Sequence, residues 1–238
     1  MGAERFAGES AQNLEQKCLC VLVLDVSGSM RGEKLDSLNQ GVRDFFTQIQ
    51  TADGVPESLI DQLEVAIMQY DEEVRILRDP KLLEDGELPP TLTERGSVTE
   101  TVMAIEEAIK LVEDRKAFYR STGQCYYRPW IIVMTDGEPY GNKATQADID
   151  AISQRVAIEA DPKTGKKYMI MGIGVGKDAN METLKKMTAG RAMALQGLKF
   201  GAFFEWLSAS LSTVASSKEG DKIDISEGAS DWMSSFEI

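Results

Sequence analysis

The sequence predicts an α/β fold: a single doubly wound, Rossmann-like domain with a mostly parallel central sheet, one antiparallel edge strand and helices on both faces. Three observations carry this expectation. Lys17–Leu24 (KCLCVLVL), Trp130–Met134 (WIIVM) and Tyr168–Val175 (YMIMGIGV) are continuous apolar runs of strand length, the pattern of strands covered on both faces. Segments of helical spacing alternate with them, which is the signature of strand–helix–strand units and a parallel sheet. The third observation is the pair Glu64–Tyr70 and Val74–Leu77, separated only by Asp71–Glu73. So short a turn can join antiparallel strands alone.

Taken in order, the first strand at Lys17–Leu24 precedes a helix over Lys34–Gln50, with Leu35, Leu38, Val42, Phe45, Phe46 and Ile49 on one face. The antiparallel pair follows. Arg78–Gly96 carries Pro80, Pro89 and Pro90 and reads as loop. From Thr99 to Arg120 the spacing of Val102, Ile105, Ala108, Ile109 and Val112 is again helical. After the strand at Trp130 come turn residues Asp136–Asn142 and a helix over Thr145–Ala160. The strand at Tyr168 leads to a short helix, Met181–Met187, and a short strand, Ala192–Leu195. The last helix, Lys199–Ser217, carries an apolar stripe at Phe200, Phe203, Phe204, Leu207, Leu211 and Val214, which reads as core packing. The domain is expected over residues 15–217. Residues 1–14 read as a flexible, solvated leader from which Phe6 can dock back onto the body. Residues 218–238 read as an acidic, Gly/Ser-rich tail bearing Ile223, Ile225, Trp232, Met233, Phe236 and Ile238.

Composition narrows the function. The 238 residues hold 26 Lys and Arg against 39 Asp and Glu, a net charge of −13. That balance argues against a free-standing nucleic-acid binder, which needs a basic face. The absence of histidine removes Ser-His-Asp and Cys-His nucleophile systems and imidazole-bound zinc. The three cysteines make no disulfide framework, and Cys18 and Cys20 read as a buried reduced pair on one strand face, which fits a reducing cytoplasm. No stretch approaches the ~20 apolar residues of a membrane span, and the first residues lack the apolar core of a secretory signal.

Ligands of such sheets bind beyond the carboxyl ends of the strands. There the first strand delivers D-V-S-G-S-M, with Asp25, Ser27 and Ser29. The strand at Trp130 delivers T-D-G-E-P, with Asp136, and the long helix opens at G-S-V-T-E-T, with Thr99 and, as the alternative, Ser97. Singly, each has a structural reading as a helix cap or a turn. Together they form an all-oxygen donor set of modest charge, suited to a hard, octahedral cation such as Mg²⁺. Two further glycine-bearing stretches have plainer readings. G-I-G-V-G-K (Gly172–Lys177) has its third glycine misplaced for a dinucleotide turn, and K-T-G-K-K (Lys163–Lys167) suffices as a surface turn.

The combination D-x-S-x-S, a threonine at a helix start and T-D-G after a hydrophobic strand resembles the metal-ion-dependent adhesion site of von Willebrand factor A domains, over Lys17–Ser217. R-P-W-I-I-V-M-T-D-G-E-P and F-F-E-W-L-S-A-S-L further resemble the bacterial TerY-like branch, associated with tellurite resistance and stress response. The resemblance implies Asp25, Ser27, Ser29, Thr99 and Asp136 as metal ligands, and Glu138 acting at most through water. Thr99 is chosen because Ala104 and Ile105 follow at the family's helical spacing, although the family has Gly-Gly-Thr or Gly-Ser-Thr where this chain reads Gly96-Ser97-Val98-Thr99. It also implies a non-enzymatic module that uses Mg²⁺, with Mn²⁺ or Ca²⁺ as alternatives, to accept an Asp or Glu from a protein partner. The partners it suggests are kinase- or phosphatase-like proteins, and the last helix is implied as a mobile element. The competing reading is a Mg²⁺-dependent phosphatase of the haloacid dehalogenase type with Asp25 as nucleophile. That chemistry needs an acid two residues later, where this chain has Ser27.

Overall fold

At the centre of the structure, a computed structural model describing residues 5–6, 8–11, 13–217 and 228–232, lies β1 (Cys18–Asp25), with every residue buried. Cys18, Cys20, Leu22 and Leu24 enter one core, and Leu19, Val21 and Val23 enter the other. This is the two-residue alternation of a pleated strand between two helical layers. β2 (Leu63–Tyr70) and β4 (Trp130–Thr135) flank it in parallel, and β5 (Met169–Val175) and β6 (Ala192–Leu195) extend the sheet beyond β4. β3 (Val74–Leu82) closes the far edge antiparallel to β2. The order is β3-β2-β1-β4-β5-β6. The chain thus winds outward from β1 to one side and then returns to its other side, so winding reverses between β1 and β4. The crevice beyond the carboxyl ends of those two strands is where this architecture places its ligands.

α1 (Glu33–Gln50) and α6 (Phe200–Ala215) cover the first face; α3 (Thr101–Thr122), α4 (Gln146–Glu159) and α5 (Met181–Met187) cover the second. α1 and α6 approach closely because Gly41 has no side chain. A β-carbon there would lie 2.9 Å from Phe200 Cβ and from the Phe204 ring. α4 begins at Thr145, whose hydroxyl accepts from Asp148 N while the Asp148 carboxylate accepts from Thr145 N, a reciprocal cap.

Two elements differ from the sequence expectation. α2 (Ser58–Gln62) precedes β2 and is too short for any period to reveal. β3 runs on through Pro80 to Leu82, where the prolines had suggested loop from Arg78. An edge strand tolerates proline, and Arg78 bridges the irregular pairing of Val65 and Ile67 by donating to the Lys81 and Leu82 carbonyls at 2.9 and 2.8 Å.

Both ends of the described chain touch the body. Phe6 is buried against Phe118, with its ring beneath the Arg115 guanidinium. Trp232 is buried against Phe203 and Trp206 of α6. The other apolar tail residues, Ile223, Ile225, Met233, Phe236 and Ile238, lie outside the described residues, as do 1–4 of the leader.

Candidate metal centre

Asp25 ends β1 and is fully buried. Its Oδ1 accepts from Ser27 N at 2.8 Å and its Oδ2 from the Thr135 hydroxyl at 2.7 Å. The chain leaves the sheet with Val26 N still bonded to the Tyr70 carbonyl and then makes one 3-10 turn over Gly28–Met30. Ser27 occupies the cap position of that turn without capping it, and α1 is preceded by Gly32. None of Asp25, Ser27 and Ser29 is therefore engaged as a helix cap. Instead the Ser27 and Ser29 hydroxyls lie 3.1 Å apart, and Ser29 Oγ donates to Asp136 Oδ1 at 2.6 Å.

Asp136 follows β4 and is buried. The reversal of strand order thus joins Asp25, Ser27, Ser29 and Asp136 in one hydrogen-bonded chain across the crevice. Thr99 is buried two residues before α3, with its backbone paired to Tyr140 in both directions at 2.7 and 2.9 Å. Its hydroxyl makes no hydrogen bond among the described residues. The loop before it reaches the serines: a β-carbon on Gly28 would stand 3.5 Å from the Gly96 carbonyl oxygen. Ser97, the alternative, is exposed on that loop. Glu138 is exposed and accepts from Asn180 Nδ2 at 2.7 Å, at the cap of α5.

Burial pushes the Asp25 carboxyl up to about 6, against the hydrogen bonds from Ser27 and Thr135 and with the help of the nearby Asp136. Burial and the Asp25 charge likewise raise Tyr70, whose hydroxyl faces Thr101 and the Met134 carbonyl as a neutral floor beside the site. Among the described residues no three Asp, Glu, His or Cys side chains converge on a metal position. Two carboxylates and a run of hydroxyls form a different donor set. It is all oxygen, low in charge and preassembled, and it fits a hard divalent cation.

Two residues here escape sequence reasoning. Lys34, in the first turn of α1, donates from Nζ to Asp136 Oδ2 and, at 3.2 Å, to the Ser29 carbonyl. Its one signal is a lysine where a helix N-terminus disfavours positive charge. Glu100, buried beside Thr99, accepts from the Asn142 and Lys143 amides and anchors the loop after Asp136. Nothing in its sequence position announces that role.

The fold is shared with proximal thread matrix protein 1 from the mussel byssus (13% identity, 84% of this chain and 49% of that one, TM-score 0.55). It is shared with a von Willebrand factor type A protein from Catenulispora acidiphila (15% identity, 83% and 43% covered, TM-score 0.56). The ArnB paralog VWA2 from Sulfolobus acidocaldarius is a third match (16% identity, 84% and 46% covered, TM-score 0.52). A further structure of the mussel protein, 12% identical over 84% of this chain and 48% of that one with a TM-score of 0.53, has a zinc-occupied MIDAS motif. The chain spans about half the length of these proteins, and identities this low speak for the fold alone. No curated protein matches the chain by sequence. The sequence itself matches the von Willebrand factor type A domain over residues 20–202. With that match spanning most of the domain and the strand order as described, the chain belongs to the von Willebrand factor type A domain family.

Proposed function

We propose that this chain is a metal-ion-dependent protein-binding module, non-enzymatic, whose centre is formed by Asp25, Ser27, Ser29, Thr99 and Asp136. The observation that carries the reading is the hydrogen-bonded chain from Asp25 through Ser27 and Ser29 to Asp136, assembled from the ends of two central strands. Such a centre takes Mg²⁺ in this reading, with Mn²⁺ or Ca²⁺ as substitutes; the bound cation supplies a Lewis acid that accepts an Asp or Glu of a partner. The chain's own residues do the rest. Asp25 and Asp136 hold charge in the crevice, Thr135 and Ser27 N fix the Asp25 carboxylate, and Ser29 stands exposed at the mouth. Tyr140, paired to Thr99 and 69% exposed, offers the partner an aromatic rim of the kind interfaces favour.

The finer reading is a TerY-like component of bacterial tellurite resistance or stress response that recruits kinase- or phosphatase-like proteins in the cytoplasm. Its support is the sequence resemblance of R-P-W-I-I-V-M-T-D-G-E-P and F-F-E-W-L-S-A-S-L. No described helix is long and apolar enough to cross a membrane.

Titration of Mn²⁺ into the purified chain tests the centre. One ion is expected to bind the wild type and none Asp25→Ala, with matching circular dichroism. A folded wild type that binds no ion, or a variant that binds as well, overturns the reading.

A further inference from the structure

The amino-terminal edge of the sheet, opposite the candidate metal centre, carries a feature of the reverse charge. The segment entering β4, the C-terminal half of α3 and the turn between α4 and β5 border an open pocket of about 550 Å³. Lys116, Arg128, Lys166 and Lys167 line it, with Tyr126 and Pro129 as apolar walls. Four cations around one pocket stand out on a chain of net charge −13.

Their pairing is incomplete. Lys116 is bonded to Glu113 at 2.8 Å and Lys167 to Glu159 at 2.9 Å. Arg128 and Lys166, and Arg191 outside the lining but beside Arg128, pair with no carboxylate among the described residues. Arg128 Nη2 donates to the Ala160 carbonyl, at the end of α4, at 2.5 Å; Arg191 Nη2 approaches the same oxygen at 3.5 Å. Two guanidinium groups thus share one acceptor. Arg128 Nε and Arg191 Nη1 are buried with no hydrogen-bond partner among the described residues, whereas buried donors are nearly always satisfied in folded proteins. Burial and the neighbouring Arg191 charge push Arg128 below its ordinary range, against the opposing pull of the Asp161 charge, as expected of like charges held together and only partly neutralised.

The turn that completes the pocket is rigidly built. Asp161 accepts from Lys163 N, Thr164 N and the Thr164 hydroxyl at 2.7–2.8 Å, and Lys166 N donates to the Asp161 carbonyl at 2.8 Å. Gly165 is pressed onto α4, where a β-carbon would lie 2.1 Å from the Ile158 carbonyl oxygen. Lys166 follows in the left-handed region at φ 53°, a conformation a side chain adopts at a cost. That backbone presents Lys166 at the pocket mouth.

We propose that this pocket is a binding site for a phosphate monoester dianion, with Arg128 and Lys166 as principal contacts, Arg191 supporting Arg128 from behind, and Tyr126 with Pro129 against the molecule that carries the phosphate. A guanidinium fork matches phosphate oxygens, and a monoester dianion brings three terminal oxygens and two charges to the donors where a carboxylate brings two oxygens and one charge. The volume lies within the range of small-molecule sites and exceeds what a bare phosphate ion fills. The site shares no residue with the metal centre, so the two readings fail separately.

Calorimetry of the full chain at physiological ionic strength, with inorganic phosphate, ribose 5-phosphate and AMP as probes, tests the proposal. Saturable one-site binding of at least one probe is expected, weakened at least tenfold by Arg128→Gln, which keeps a donor for the Ala160 carbonyl. Lys166→Gly removes a charge and relieves a left-handed backbone, so it should fold at least as well while binding several-fold more weakly. Lys163→Ala, outside the pocket lining, and Asp25→Ala should bind as the wild type does. Tighter binding of AMP than of ribose 5-phosphate identifies a ring-bearing ligand, and equal binding of all three identifies the phosphate group as sufficient. No saturable binding of any probe overturns the proposal, as does an affinity that Arg128→Gln and Lys166→Gly leave unchanged. An equal loss in Lys163→Ala would reduce it to diffuse charge attraction and overturn it too.

Discussion

Lys34 donates to Asp136 from the first turn of α1 and touches the Ser29 carbonyl, so its ammonium competes for the oxygens that a divalent cation would use. Its side chain is 26% exposed while Asp136 is fully buried, which keeps solvent screening incomplete on one side of the pair. Replacing Lys34 by Met retains the stem and removes the charge. Affinity for Mn²⁺ is expected to rise roughly tenfold, equivalent to ~1.4 kcal/mol, while the metal-free protein loses about 1–3 kcal/mol because the buried Asp136 carboxylate keeps, among the described residues, only its bond from Ser29. Equal or weaker ion binding by the variant would show that Lys34 does not oppose the cation. Among the motif residues themselves, Asp25, Ser27, Ser29 and Asp136 were legible because each sits within a few positions of the end of an apolar strand. Lys34 was not, because its contact spans about a hundred positions of chain, from α1 to the end of β4.

At the scale of elements, the two edges of the fold are held by unlike devices. On one, Arg78 of β3 grips Glu87 at 2.9 and 2.8 Å and ties the proline-bearing connection back to the strand. Burial alone would raise the Glu87 carboxyl, but hydrogen bonds from Arg78, Glu84 N and Lys81 outweigh it and hold it at about 2, below the usual 4.5. A group whose pKa is depressed by folding stabilises the native state above its unfolded pKa and loses that contribution as pH falls through the folded one. Glu87→Gln is therefore expected to cost about 1–3 kcal/mol at neutral pH. The deficit against the wild type should shrink between pH 4.5 and about 2. Urea denaturation across that window measures it; a constant difference would place the effect in packing.

On the other face, α6 is covered by Gly228–Trp232. The Trp232 ring meets Phe203 edge-on at 5.0 Å and Trp206 at 5.1 Å, and its carbonyl accepts from Gln196 N. Trp232→Ala is expected to destabilise by about 3–5 kcal/mol and to raise hydrogen exchange along Phe200–Ala215. Unchanged protection of α6 would make this segment a passenger on the helix.

For the molecule as a whole, the governing fact is a net charge of −13 around a centre proposed to take a partner's carboxylate. Two acidic bodies repel until they are within a Debye length, ~8 Å at physiological salt. The partner expected is one that offers a single Asp or Glu from an otherwise basic surface, so that flanking charges speed encounter and the carboxylate sets register. Chelation with EDTA should abolish such a complex, and added salt should chiefly slow association rather than speed dissociation. Surface plasmon resonance separates the two rates. Binding indifferent to EDTA and equally fast at high salt would move the interaction to another face.

The strands, their parallel sense, the antiparallel edge and the acids and serines of the hydrogen-bonded chain could all be read from the sequence, because apolar run length, helical period and motif spacing are local properties. The end of β3 could not, since Pro80, Pro89 and Pro90 mark Arg78–Gly96 alike as loop, and only the pairing of Val65 with Lys81 and Glu64 with Leu82 shows which proline the edge strand absorbs. The same limit governs the sites. D-V-S-G-S-M and T-D-G announce oxygen ligands, but that Ser29 reaches Asp136 follows from β1 and β4 lying side by side. K-T-G-K-K is a surface turn, as its sequence reads, and its Gly165–Lys167 border the basic pocket only because the C-terminal half of α3 and the entry to β4 fold beside it. Chain-local chemistry sets which residue types stand at an element's end; the pairing of distant segments decides which of those ends meet.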